Sequence, residues 1–250
     1  MSTARPRGPA APARPAARAE SRARPRRGAT APAAAKPAAD DASSARLRDA
    51  DRSRRRILAA ARSEFAENGL AGTRLDTVAQ LAGVDKRLIY YYFKNKESLF
   101  LEVLIDAMTN IRTEETKLKL LDLEPVDAVR TLIRFSWDYY LANPEFIRLI
   151  NTENLHRAKH LAMSDRIQRI NRPLVEMLGT VLERGRVAGV FRGGVDPLQL
   201  YLSMVGLTYY YVSNQHTLSH MFRRDLMTPR AQAERLSHVT DVLLGYLLPS

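Results

Sequence analysis

The sequence predicts an all-α chain in two helical parts, and three observations carry that prediction. From residue 51 onward apolar side chains recur every three or four positions, the spacing of a helix face, and no stretch alternates in twos as a strand would. Helix starts are marked at Asn143-Pro144, Asp196-Pro197 and Thr228-Pro229, a capping residue before proline at the first helical position, with Glu124-Pro125 a weaker case. Helix ends are punctuated by Asn68-Gly69 and by Ala82-Gly83-Val84, where glycine can take a positive φ.

Nine helices follow in order. Ile57, Leu58, Ala61 and Phe65 define the first, over about 51–67. Thr73-Arg74-Leu75-Asp76 is an N-cap signature that opens a short second helix with Leu75, Val78, Ala79 and Ala82 inward. Asp85 caps a short third helix through Tyr92, with Leu88 and Tyr92 spaced to face the core. Asn95 caps a long fourth helix with Leu99, Val103, Leu104, Ala107 and Ile111 on one face. The others run over about 125–142, 144–158, 162–186, 196–220 and 229–248, and Pro173 is expected to kink or split the seventh.

The 250 residues carry a formal net charge of +12 and no cysteine. Zero cysteine excludes disulfides, thiol catalysis, iron–sulfur clusters and cysteine-type zinc sites, and it suits a reducing cytoplasm. No apolar run approaches the roughly 18 residues of a membrane span, so no membrane partner is expected. The charge is uneven: residues 1–50 hold eleven Lys/Arg against four Asp/Glu, residues 51–100 ten against six, and residues 101–250 eighteen against seventeen. Residues 1–48, rich in Ala, Pro and Arg and without a large apolar residue before Leu47, read as a disordered basic tail. Such a tail is either an arm that follows phosphates or a solubilising extension. Arg52, Arg54, Arg55 and Arg56 fall in the first turns of the expected first helix, where the dipole disfavours cations unless an anion neutralises them.

A short helix, a glycine-containing turn and a second short helix describe a helix-turn-helix, whose second helix enters the major groove of DNA. Lys86 and Arg87 lie in its first turn, and arginine can pair bidentately with guanine. Arg74 is a further candidate for base or phosphate contact, and Lys96 and Thr73, each near a helix start, are candidates for phosphate contact.

The stretch GTRLDTVAQLAGVDKRLIYYYFKNKESLF at 72–100 resembles the DNA-binding domain of the tetracycline-repressor (TetR) family of bacterial regulators. About 50 residues are covered, and the ordered elements are a capped short helix, Ala82-Gly83-Val84, Tyr90-x-Tyr92-Phe93 and Lys96-Glu97-x-Leu99. Two positions depart from the family pattern: Asp85 where Ser or Thr is usual, and Arg87 where a small residue is usual. The resemblance implies a DNA-binding domain at 49–97 and a ligand-binding and dimerisation domain at 98–250. It also implies a palindromic double-stranded operator and a homodimer joined through the last two helices. By position it makes Tyr90 a phosphate donor, Tyr91 a sugar or thymine contact, and Tyr92 either a phosphate donor or a core edge. Residues 101–250 resemble, more loosely, the C-terminal domain of pyrimidine- and nicotinate-type regulators of that family.

In the second part, Trp137, Tyr140, Asn151, Asn154, Tyr210 and Asn214, with Phe146 and Tyr209 nearby, offer the apolar walls and few polar groups of a small-molecule pocket, or a plain core. Leu200, Met204, Leu207, Tyr211, Leu236, Val239, Leu243, Tyr246 and Leu247 form apolar faces that fit either a dimer seam or the subunit interior. His156 and His160 beside Glu153, and His216 with His220, have the spacing of metal ligands, but ordinary histidines are the expectation; no metal, cofactor or catalytic residue is predicted. A phosphate-binding glycine loop, a dinucleotide fingerprint and a nucleophile elbow are all absent, which argues against an enzyme. The reading is therefore a DNA-binding transcriptional regulator, a repressor released by a small-molecule effector. An activator of the same fold, or a protein that coats DNA without sequence preference, is the alternative.

Overall fold

The computed structural model describes residues 38–249, with side chains at Ser44 and from Arg48 onward. Ten α-helices are present among them: α1 Ala38–Gly72, α2 Leu75–Ala82, α3 Lys86–Phe93, α4 Lys96–Thr116, α5 Pro125–Ala142, α6 Pro144–Leu155, α7 Arg166–Val187, α8 Pro197–Ser213, α9 Gln215–Met221 and α10 Pro229–Leu247. Single 3-10 turns occur at Leu120–Asp122 and Leu161–Met163. No strand occurs among the described residues, and no helix there is long and apolar enough to cross a membrane.

Local chemistry accounts for most of the boundaries. Asp85 Oδ1 accepts from the Arg87 N–H (2.7 Å), Asn95 Oδ1 from Ser98 (2.7 Å), Asp196 Oδ1 from Gln199 (2.8 Å) and Thr228 Oγ1 from Ala231 (3.2 Å), so each caps its helix as expected. Gly83 ends α2 in the left-handed region at φ 59°, ψ 45°, and Gly69 breaks α1 near its end at φ 63°.

Five expectations need correction. First, α1 starts at Ala38 rather than near residue 51, so 38–48 of the expected tail are helical; residues 1–37 lie outside the described residues. The last proline of the N-terminal region is Pro37, and the alanine-rich run behind it favours helix. Arg52 to Arg56 are consequently mid-helix, remote from the N-terminal dipole. Second, Arg74 occupies the N-cap position of α2 without a side-chain bond, and Thr73 is not the cap. Third, Ile89 and Phe93 are the buried residues of α3, while Leu88 and Tyr92 only edge the core. Fourth, the nine-helix count becomes ten, because Asn214 leaves helical geometry (φ −108°, ψ 12°) and divides the stretch expected at 196–220 into α8 and α9. Fifth, α7 runs unsplit through Pro173. Leu174, Leu178, Val181 and Leu182 are buried behind that proline, and their packing offsets its missing N–H.

From residue 43 onward the described residues form one compact unit with two apolar clusters. The first joins α1–α4 to Trp137, Tyr140, Phe146 and Val212, so the core continues past the expected boundary at residue 97. The second packs α5, α7, α8 and α10 together. Leu200, Met204, Val239, Leu243 and Leu247, expected as alternatives for a dimer seam, are buried here within the subunit. The halves are further tied by ion pairs: Glu102 of α4 accepts from Arg54 of α1 (2.5 Å) and from Arg166 of α7 (2.5 Å), and Arg148 of α6 pairs with Glu67 of α1.

Candidate nucleic-acid interface and cavity

The α2–turn–α3 unit is held from behind by α1. Arg56 Nη2 donates to the Gly83 carbonyl (3.2 Å), and Tyr92 Oη donates to the Ala50 carbonyl (3.2 Å). Ile89 and Phe93 anchor α3 in the first cluster. Its opposite face is thereby left to solvent, and Arg87, Tyr90 and Tyr91 are exposed on it, Tyr91 at 78%. The Arg87 side chain forms no ion pair among the described residues, whereas Lys86 pairs with Asp76 of α2 (2.9 Å). That contact holds the Asp76 carboxyl below, and the Lys86 ammonium above, their ordinary ranges. Arg74 is exposed at the start of α2.

Three other expected DNA contacts are placed elsewhere. Thr73 is 3% exposed, and its hydroxyl donates to the Gly69 (2.7 Å) and Glu64 (3.2 Å) carbonyls, where it fastens the end of α1. Lys96 Nζ donates to the carbonyls of Thr73 (3.2 Å) and Ala71 (3.4 Å). The hydroxyl of Tyr92, as noted, is tied to α1. The outward set is therefore Arg74, Lys86, Arg87, Tyr90 and Tyr91.

The expected pocket residues do not converge on one cavity. Trp137 is buried against Tyr211, and Tyr140 against Phe146 and Tyr209, as ordinary core. Burial pushes the hydroxyls of Tyr140 and Tyr209 well above the usual phenol range. Asn151 accepts from Tyr209 Oη (2.8 Å), Asn214 Nδ2 donates to the Tyr210 carbonyl (3.0 Å), and Asn154 and Tyr210 are exposed. A cavity of about 430 Å³ lies instead between the end of α4, the 120–122 turn and α7. Leu120, Leu121, Ile170, Pro173, Leu174 and Met177 wall it, and Arg112, Glu115, Thr116, Lys119 and Asp122 supply its polar groups. Glu115 was legible in principle. It continues the i, i+4 stripe of Ala107 and Ile111, so a carboxyl falls on the buried face of α4.

The expected histidine pair is altered as well. α6 ends at Leu155, and Arg157 and Ala158 take positive φ, so His156 and His160 do not share a helix face. His160 is buried with Nδ1 2.6 Å from Glu153 Oε2, and Glu153 Oε1 also accepts from the His160 and Leu161 N–H groups. No group of three or more potential metal ligands occurs among the described residues.

Residues 57–103 match the family described as "Bacterial regulatory proteins, tetR family", and residues 125–243 match "Tetracyclin repressor-like, C-terminal domain". The chain is 38% identical over 199 residues to the HTH-type transcriptional repressor NicS of Pseudomonas putida, covering 80% of this chain and 94% of NicS. It is 34% identical over 110 residues to the HTH-type transcriptional regulator RutR of Escherichia coli, covering 44% of this chain and 51% of RutR. The crystal structure of the regulator FadR from Bacillus subtilis, in complex with stearoyl-CoA, superposes with a TM-score of 0.60 at 19% identity, covering 76% of this chain and 97% of that one. That last likeness is one of fold.

Proposed function

The chain belongs to the TetR family of bacterial helix-turn-helix regulators, and from that premise we propose that it is a homodimeric repressor released from its operator by a small-molecule effector. The observation that carries the reading is the outward face of α3. Arg87 stands there unpaired beside Tyr90 and Tyr91, behind a glycine turn that α1 holds in place. Arginine in the first turn of a reader helix suits guanine O6 and N7, and the tyrosine hydroxyls suit phosphate and sugar. NicS, named a repressor, supports the sign of regulation.

A dimer is supported by an apolar face left uncovered on α8 and α10: Leu198, Leu202 and Tyr210 on one helix, Val242 and Tyr246 on the other, each more than 40% exposed. Two readers related by a two-fold axis then enter successive major grooves about 34–36 Å apart. The effector acts by favouring an arrangement in which that spacing no longer fits.

The test is selection of bound DNA followed by affinity measurements on the selected site and on random DNA. Arg87→Ala is expected to cost about 1–3 kcal/mol on the operator and to relax base preference, while Tyr90→Phe weakens both DNAs alike. Equal losses on both DNAs for Arg87→Ala would overturn the reader assignment.

A further inference from the structure

The cavity beside α4 is unused by the DNA-reading surface, and it brings buried ionisable groups against an apolar wall. Arg112 Nη1 donates to Glu115 Oε2 (2.5 Å) and Nη2 to the Tyr201 hydroxyl (3.2 Å), but Nε, though buried, has no acceptor. Four buried side-chain nitrogens lack a partner among the described residues, and Arg112 Nε is the one whose residue lines this cavity. Arg112 also lines the cavity, and a planar guanidinium is matched in shape and charge to a carboxylate.

We propose that this cavity binds an organic monocarboxylate with an apolar body, held by Arg112, and that Glu115 takes up one proton from solvent as the anion enters. The proposal rests on the reading of the chain as effector-responsive. The Arg112–Glu115 pair is neutral, so an added anion would leave one uncompensated negative charge in a site walled by Leu120, Ile170, Pro173, Leu174 and Met177. A proton on Glu115 cancels it and converts the carboxyl into a donor.

The groups within reach permit that step near neutrality. Burial pushes the Glu115 carboxyl up to about 7, opposed by Arg112 on the same helix. Across from it, α5 contributes Tyr139 and Tyr140, whose hydroxyls burial pushes up, and α8 contributes Tyr201. The turn contributes Lys119 and Asp122, opposite in sign, and α7 lines the cavity with apolar side chains, its nearby Arg184 being tied to the Leu121 and Leu123 carbonyls. A monoanion is compensated by a single proton, whereas a phosphate dianion is not.

The experiment is calorimetry on the full chain with benzoate, 2-naphthoate and octanoate against benzamide, 2-naphthamide and octanamide. It is run from pH 6 to pH 8 in two buffers of different ionisation enthalpy. At least one carboxylate is expected to bind at least tenfold tighter than its amide, with close to one proton taken up at pH 8 and affinity about tenfold lower at pH 8 than at pH 6. Glu115→Gln should bind it without proton uptake and about tenfold tighter than the parent at pH 8. The double variant Arg112→Gln with Glu115→Gln, which leaves no charge unpaired, should lose it. If the double variant does not fold, the Glu115→Gln result decides. Amides that bind as well as carboxylates, binding without proton uptake in the parent, or no binding by any probe would overturn the proposal. Operator binding is measured separately. A carboxylate that binds in this way without loosening the operator leaves the site standing and overturns release, and a chain without sequence-specific DNA binding overturns the repressor reading alone.

Discussion

At Gly83 two constraints coincide: its φ is 59°, and a Cβ there would lie 2.4 Å from Arg56 Nη2, the atom that donates to its own carbonyl. Gly83→Ala is expected to cost about 1–2 kcal/mol in urea unfolding and to weaken operator binding, since the turn aims α3. Thr73→Val separates two roles for a residue that sequence alone assigns to phosphate. Losing its bonds to Gly69 and Glu64 should cost about 1–2 kcal/mol of stability while leaving the salt dependence of operator binding unchanged. A slope reduced by about one would restore the phosphate contact. Glu115 adds a pH dependence. Its carboxyl is raised from 4.5 to about 7, so the folded chain holds the proton more firmly than the unfolded one. The resulting stability is present in full below about pH 4.5 and is lost as pH rises through about 7. Melting curves should therefore show the Glu115→Gln variant gaining on the parent between pH 5 and pH 8; parallel profiles would contradict this.

Among the elements, α4 depends most plainly on a short sequence signal. Asn95→Ala should remove the bond to Ser98 N–H and cost about 1 kcal/mol, read by chemical denaturation. Caps, proline starts and glycine stops are local, which is why α2, α3, α4, α5 and α10, and the start of α8, could be read close to their true positions. Rotations and ends are settled by distant partners instead. Whether Leu88 or Ile89 faces inward is a turn of about 100°, decided by how α1 and α4 receive α3. Trp137 and Tyr140 carry the same pattern whether they wall a pocket or fill a core, and only the packing of Tyr211, Phe146 and Tyr209 against them selects the core. The reader residues were legible because α3 has one solvent face. The cavity was not, because α7, remote in sequence from α4 and the turn that follows it, supplies its far wall.

For the molecule as a whole, the uncovered stripe on α8 and α10 predicts the assembly. Leu202→Arg should turn the dimer into a monomer in light scattering and lower operator affinity by about two orders of magnitude, as the second reader ceases to be tethered to the first. An unchanged dimer would place the seam elsewhere.

Glu102 carries a consequence at the same scale. One carboxylate holds a cation from α1 and another from α7, so the part that touches DNA and the part that borders the cavity draw on a single negative charge. Exchange between them must run both ways: whatever factor an effector takes from the affinity for DNA, DNA takes from the affinity for the effector. A promoter carrying many operators would then act as a sink that desensitises the cell to the small molecule, setting the response threshold by gene dosage as well as by chemistry.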